Sequence, residues 1–204
     1  MEEIRPGIFH WTTFHEGIGQ TVHSCFLSCA APPALIDPRM PEEGLPWFKA
    51  HPTPANALLT NRHHYRHSGR FEEAFGLRVW CHREGLHEFT AGEKVHPFVH
   101  GDELPGGILA LAVGVLCPEE TALFFPGCGG VLAIGDAIIR QGDDLGFVPD
   151  ALMGDDPEGV KKGLKIALTR LLDREFDTLL LAHGRPWVGG ARDGLCRFLQ
   201  TLPD

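Results

Sequence analysis

Along this chain, short apolar runs recur between clusters of Gly, Pro and acidic residues, a rhythm that predicts many short strands and few helices. Residues 7–11, 21–29 and 34–36 read as an N-terminal strand meander, and residues 41–50 as a helix with proline near its start. Residues 56–60 form an unbroken apolar stretch, the pattern of a buried strand. Further strands are expected at 77–81, 95–99, 107–113, 121–125 and 131–134, the last two joined by Pro126-Gly127-Cys128-Gly129-Gly130, a strong hairpin signal. The clearest helix opens with Asp156 as N-cap and Pro157 in first position, and sets Val160, Leu164, Ala167, Leu168 and Leu171 on one face. Lys161, Lys162 and Lys165 then fall on its solvent side. A last helix is expected over 191–202. Residues 140–153 are too rich in Gly, Asp and Pro to read as regular; their Phe147, Leu152 and Met153 suit either a lid or a staple to the core.

The chemistry concentrates in Asn61-Arg62-His63-His64-Tyr65-Arg66-His67-Ser68-Gly69, directly after the 56–60 strand and before a helix stopped by Gly76. In layered α/β structures the crevice beyond strand carboxyl ends is where ligands bind. Neighbouring side chains diverge, so only one of His63 and His64 is expected to share a centre with His67, and His64 is the choice.

This run resembles the motif of the metallo-β-lactamase fold superfamily, His-x-His-x-Asp-His followed one residue later by Gly. Aligned on His67 and Gly69, the frame puts Arg62 at the first histidine, His64 at the second, Arg66 at the aspartate and His67 at the last. Other landmarks follow in family order. They are the strand Ala34-Leu35-Ile36 ending in Asp37-Pro38, the turn Gly101-Asp102-Glu103-Leu104-Pro105-Gly106-Gly107, the strand Val131-Leu132-Ala133-Ile134 ending in Gly135-Asp136, and Leu179-Leu180-Leu181 ending in Ala182-His183-Gly184. The resemblance implies an α/β chain folded as a four-layer αββα sandwich of two mixed β-sheets flanked by helices, one domain over residues 1–204. It also implies a reduced metal site. The region 109–118 lacks the further histidine that two-metal relatives supply, so one centre retains only His64 and a share of Asp136, and the other keeps His67, Asp136 and His183. Three such groups with open positions suit one divalent ion, zinc or alternatively iron or manganese.

Two readings follow. In the first, the ion activates water for hydrolysis of an ester, thioester, lactone or phosphoester, with His64 as a fourth ligand or proton carrier and Arg62, Arg66 or Arg185 holding an anionic part of the substrate or steadying a developing oxyanion. In the second, Arg62 and Arg66 pair with Asp136, fill the former metal cavity and leave a metal-free, non-catalytic binder of an anionic small molecule. Asp37 and His23 suit orienting roles by hydrogen bonding, or turn roles. His82, His87, His96 and His100 match no ligand spacing and read as solvent-facing or turn residues.

Composition adds exclusions. The chain has 204 residues, 43% of them hydrophobic, with a net charge of −9, which argues against nucleic-acid and membrane partners and for a small-molecule ligand. No stretch has the length of a membrane span and the acidic start lacks the regions of a signal peptide, so a cytoplasmic location is expected. The six cysteines are then expected as reduced, mostly buried thiols, with Cys128 the most exposed. Assembly through strand edges is compatible with this sequence, and no residue marks it.

Overall fold

The computed structural model describes residues 1–203. Its first sheet runs β1 (Glu2–Arg5), β2 (Ile8–His15), β3 (Gln20–Leu27), β4 (Ala34–Ile36), β5 (Asn56–Leu58), β6 (Arg78–His82) and β7 (Val95–Phe98), in that spatial order. The strands are antiparallel as far as β4 and parallel from β4 to β7. The helix α1 (Ser68–Phe75) connects β5 to β6 and stops at Gly76, whose left-handed φ of 65° its lack of a side chain permits. The second sheet takes β8 (Glu103–Leu104), β9 (Ile108–Ala112), β10 (Thr121–Phe125) and β11 (Val131–Ile134) as an antiparallel series. The small hairpin β12 (Ile139–Gln141) and β13 (Asp144–Gly146) precedes α2 (Pro157–Leu171). The chain then returns as β14 (Thr178–Leu181), parallel to β11, and ends with β15 (Trp187–Val188) and α3 (Ala191–Thr201).

Three apolar layers hold the four tiers together, and strand alternation assigns residues to them. Leu132 and Ile134 of β11 face α2 and α3, where Leu164, Leu168 and Leu195 meet them. Val131 and Ala133 of the same strand face the other sheet, against Ile36 and Leu58. Phe26 and Leu35 turn outward beneath Phe48 and Phe71. The central strands are thus buried on both faces, which is why they read as continuous apolar runs.

Five strands appear where none was expected: β1, β8, β12, β13 and β15. Residues 41–50 form only a short 3-10 turn, Leu45–Ala50, that drops Phe48 into the outer core. The 140–153 stretch is stapled rather than open, since Phe147 meets Phe198 edge-on at 5.4 Å and Met153 is buried, while Leu152 points to solvent. The expectation of reduced thiols throughout is corrected as well: Cys29 and Cys128 form a disulfide between the sheets, because the β10–β11 turn brings Cys128 over the end of β3. Cys25, Cys81, Cys117 and Cys196 are free. Nor is His82 solvent-facing; it is buried and stacks on His100 at 4.1 Å. Among the described residues, no helix is long and apolar enough to cross a membrane.

A buried histidine pair links β2 to β3: His10 Nε2 and His23 Nδ1 share a hydrogen bond of 2.8 Å, one ring donating and the other accepting. Burial first, then the Arg185 and N-terminal charges, push His10 down to about 4. His23 is pushed down to about 3 by burial and then by His10, His183, Arg66 and Arg185. Both rings therefore stay neutral in the folded chain while the unfolded chain takes up protons near pH 6.5. The resulting stability is complete above that value and is lost as pH falls through the folded-state values. Urea midpoints are expected to fall steadily from about pH 6.5 towards 4, and less steeply in a His10→Phe/His23→Phe variant. Leu132→Ala, which empties a fully buried position under both long helices, is expected to cost about 2–5 kcal/mol in the same assay at neutral pH.

Candidate metal centre

Two pairs of parallel strands deliver the site at one rim of the sandwich. In the second sheet Ile134 of β11 is in register with Leu181 of β14, and Asp136 and His183 each lie two residues beyond those partners. In the first sheet Ile36 of β4 is in register with Leu58 of β5, so Asp37 and Thr60 emerge side by side. Thr60 donates from its backbone N–H to Asp37 Oδ1 at 2.9 Å and from its hydroxyl to Oδ2 at 2.7 Å. The Arg62–Tyr65 3-10 turn follows, with Asn61 as its cap, and lowers His64 onto the same carboxylate. Gly135 permits the two rims to meet: a Cβ there would stand 2.7 Å from Thr60 Oγ1.

His64, Asp136 and His183 each offer one ligand atom, and these atoms lie within 4.8 Å of one another. Asp136 Oδ1 is 3.3 Å from His64 Nε2 and 3.2 Å from His183 Nε2. Tetrahedral ligation with bonds of about 2.1 Å would separate ligand atoms by about 3.4 Å, so this spacing fits a shared ion. Asp136 Oδ1 is shielded from solvent yet makes no well-directed hydrogen bond, whereas Oδ2 accepts one from Asn61 Nδ2 at 3.0 Å. On the far side of the ring, His64 Nδ1–H donates to Asp37 Oδ2 at 3.0 Å, which turns Nε2 towards Asp136. His64 and Asp136 are thus each oriented from behind, with Nε2 and Oδ1 turned towards one another.

Electrostatics couples the three groups tightly. Burial opposes charge on His64, but Asp37 and Asp136 overcome it and raise this ring to about 9. Burial likewise opposes charge on Asp136, and His64 and His183 hold it well below the usual carboxylate range. Asp37, fully enclosed, is also held low against burial by His64, Arg66 and Thr60.

The remaining expected residues lie elsewhere. His67 is not part of the cluster: its Nδ1 accepts from the Met40 N–H at 2.9 Å and its own N–H donates to Pro38 O. The cause is Arg66, whose φ of 46° and ψ of −110° turn the chain between His64 and His67, so the two rings leave on different sides. Arg66, expected as a catalytic or anion-binding residue, points beneath the rim. Its Nη1 donates to the carbonyls of His23 and Asp37, at 2.6 and 2.8 Å, and its Nη2 is sealed from solvent without a partner. Arg62 is committed to Glu119 and lies 3.7 Å from Glu88. The expected pairing of these arginines with Asp136 is thus replaced by Asn61 and the two histidines. Arg185 is exposed beside the rim.

Two acidic residues escaped notice in the sequence, because Pro118-Glu119-Glu120 reads as a polar turn. Both are fully buried. Glu120 Oε1 accepts the Ala137 N–H at 2.6 Å, directly behind Asp136. Burial, and then the Asp136 charge, push Glu120 up to about 8.

Neither a family model nor a curated relative matches the sequence. Solved structures do. The chain superposes on the DIM-1 metallo-β-lactamase with a TM-score of 0.73 at 15% identity, covering 98% of this chain and 96% of that one. A metallo-β-lactamase from Pontibacter korlensis gives 0.69 at 18%, covering 98% of each. A protein solved in a di-iron-bound form, TTHA1623, gives 0.69 at 22%, covering 94% of this chain and all of the other. With the strand order and the rim geometry described above, these superpositions establish that the chain has the metallo-β-lactamase fold.

Proposed function

We propose that His64, Asp136 and His183 hold a single divalent metal ion and that the protein is a hydrolase of an ester, thioester, lactone or phosphoester. The observation that carries this reading is the convergence of three ligand atoms within 4.8 Å around a buried carboxylate oxygen with no hydrogen bond of its own. Two imidazoles and one carboxylate suit zinc, and equally iron or manganese. When bound, such an ion lowers the pKa of water from about 15.7 towards roughly 7 and polarises the group under attack.

The chain's own residues prepare that chemistry. Asp37 fixes the tautomer and tilt of His64, and Asn61 holds Asp136 so that Oδ1 remains available. The His64 side chain is 6% exposed, while those of His183 and Asp136 retain 19% and 29%, so substrate would approach from the β11–β14 side. Arg185, exposed on that side, is the cation best placed to meet an anionic portion of a substrate. The hydrolase reading is preferred to a metal-free binder because Arg62 contacts Glu119 and Arg66 contacts backbone carbonyls, and no hydrogen bond ties either to Asp136.

Protein purified without chelator is expected to carry about one equivalent of metal per chain by mass spectrometry. His183→Ala and Asp136→Ala should lose that metal and any hydrolysis of a panel of ester, thioester, lactone and phosphodiester substrates. His67→Ala should keep its metal, because that ring is occupied by Met40. A metal-free parent protein, or equal loss of metal in His67→Ala, would sink the proposal.

A further inference from the structure

The sheets bring His183 to the rim, but its ring leaves from residues 182–186, the loop between β14 and β15, which belongs to no strand. Carbonyls turned inward by such a loop need donors from elsewhere. One residue supplies three of them. Arg140, in β12, donates its backbone N–H to the His183 carbonyl at 2.9 Å, and its Nη1 to the carbonyls of Pro186 at 2.8 Å and, more loosely, of Arg185 at 3.4 Å. Its guanidinium also lies over the Trp187 ring, 4.8 Å from the centroid, where the chain re-enters the sheet. Gly184 completes the fit. At a φ of 117° it packs flat on Arg140, where a Cβ would stand 2.4 Å from the Arg140 carbonyl oxygen and 2.7 Å from Arg140 Cβ.

The same residue joins the two arms of the site. Asp136 lies on the short segment that leaves β11 and enters β12 at Ile139, so the Arg140 bond to His183 ties the arm carrying the carboxylate to the arm carrying the imidazole. Across this joint Asp136 Oδ1 and His183 Nε2 are 3.2 Å apart. His64 is steadied by Asp37 and Asp136 by Asn61, whereas among the described residues the His183 ring has no hydrogen-bond or ion-pair partner besides Asp136. Its direction therefore follows from the loop, and the loop is wrapped around Arg140. A planar guanidinium suits this place, because its edge meets carbonyls while its face meets the indole, two contacts that a lysine ammonium does not make together. The one acidic contact of Arg140, the fully exposed Asp143 at 3.3 Å, adds little.

We infer that Arg140 is a positioning residue of the metal centre: by holding the 182–186 loop it fixes the direction in which His183 faces Asp136. This rests on the metal-site reading. Zn²⁺ affinity of the full chain, measured by competition with a chromophoric chelator, tests it. Arg140→Met, which keeps an apolar stem over Trp187 and loses the donors, is expected to bind Zn²⁺ about tenfold more weakly and to alter the visible spectrum of the Co²⁺-loaded chain. The sign is diagnostic. Removing a positive charge beside a cation site would by itself tighten binding, and a brace for stability alone would lower the unfolding temperature without changing affinity or spectrum in the folded chain. Arg140→Lys, which keeps the charge and can still reach one carbonyl, should fall between Arg140→Met and the parent. If Arg140→Met does not fold, Arg140→Lys carries the test: a loss of about threefold or more supports the inference, and parent-like affinity overturns it. Parent-like or tighter affinity in Arg140→Met overturns the positioning role while leaving the metal site standing. A parent chain that binds no Zn²⁺ overturns both.

Discussion

The contact between Asp37 and His64 is the constraint on which the rest of the rim depends. A buried carboxylate is costly unless its oxygens are filled, and Asp37 fills both of its own from one neighbouring segment, through the Thr60 amide, the Thr60 hydroxyl and the His64 ring. That arrangement exists because β4 and β5 are parallel and in register, so the first residue past one strand faces the first residues past the other. Once Asp37 holds Nδ1, only Nε2 of His64 remains free, and it faces Asp136 across the junction of the two sheets. The orientation of a single imidazole thus follows from strand pairing several residues away.

Arg66 shows how a change of charge can be absorbed by a change of direction. At a left-handed φ, uncommon for a residue with a side chain, the chain sends the guanidinium inward beneath the rim instead of across it. There it ties the carbonyl of His23 on β3 to that of Asp37 past β4, stitching the two strand ends that flank His64. The same reversal takes His67 to the Met40 amide. One backbone conformation therefore turns His67 away from the rim, places a cation beneath it and braces the strand ends beside His64.

Much of the fold was legible because the central strands β3, β4, β5, β10, β11 and β14 are buried on both faces and appear as short apolar runs between breakers. β1, β8, β12, β13 and β15 were not, because these edge and hairpin strands are two to four residues long and partly solvent-facing, and leave no such run. At the site, Asp136 and His183 were readable as the first polar side chains beyond apolar strands that end in Gly135 and Ala182. His67 was misread for a definite reason: spacing along a turn reports sequence distance, whereas side-chain direction depends on φ and ψ at Arg66, which composition does not reveal. Glu119 and Glu120 were hidden by their similarity to an ordinary acidic turn, and only three-dimensional packing shows them enclosed.

The rim also separates what is rigid from what is adjustable. Asp136 and His183 hang from paired strand ends, and the surrounding backbone is closed by Ala182 N–H to Ile134 O, His23 N–H to Ala182 O and Arg140 N–H to His183 O. Because these bonds are made by main chain alone, their geometry is insensitive to side-chain charge. The charged groups around them, by contrast, form a set whose members hold one another in place: Asp37 and Asp136 against His64 and Arg66, with Glu120 behind. A scaffold of this kind can keep Asp136 and His183 fixed while substitutions at Arg62 and Arg66 redistribute charge around them. The positions of Asp136 and His183 are thus a property of the sheets, and the electrostatics of the rim is a property of the buried charges beneath them.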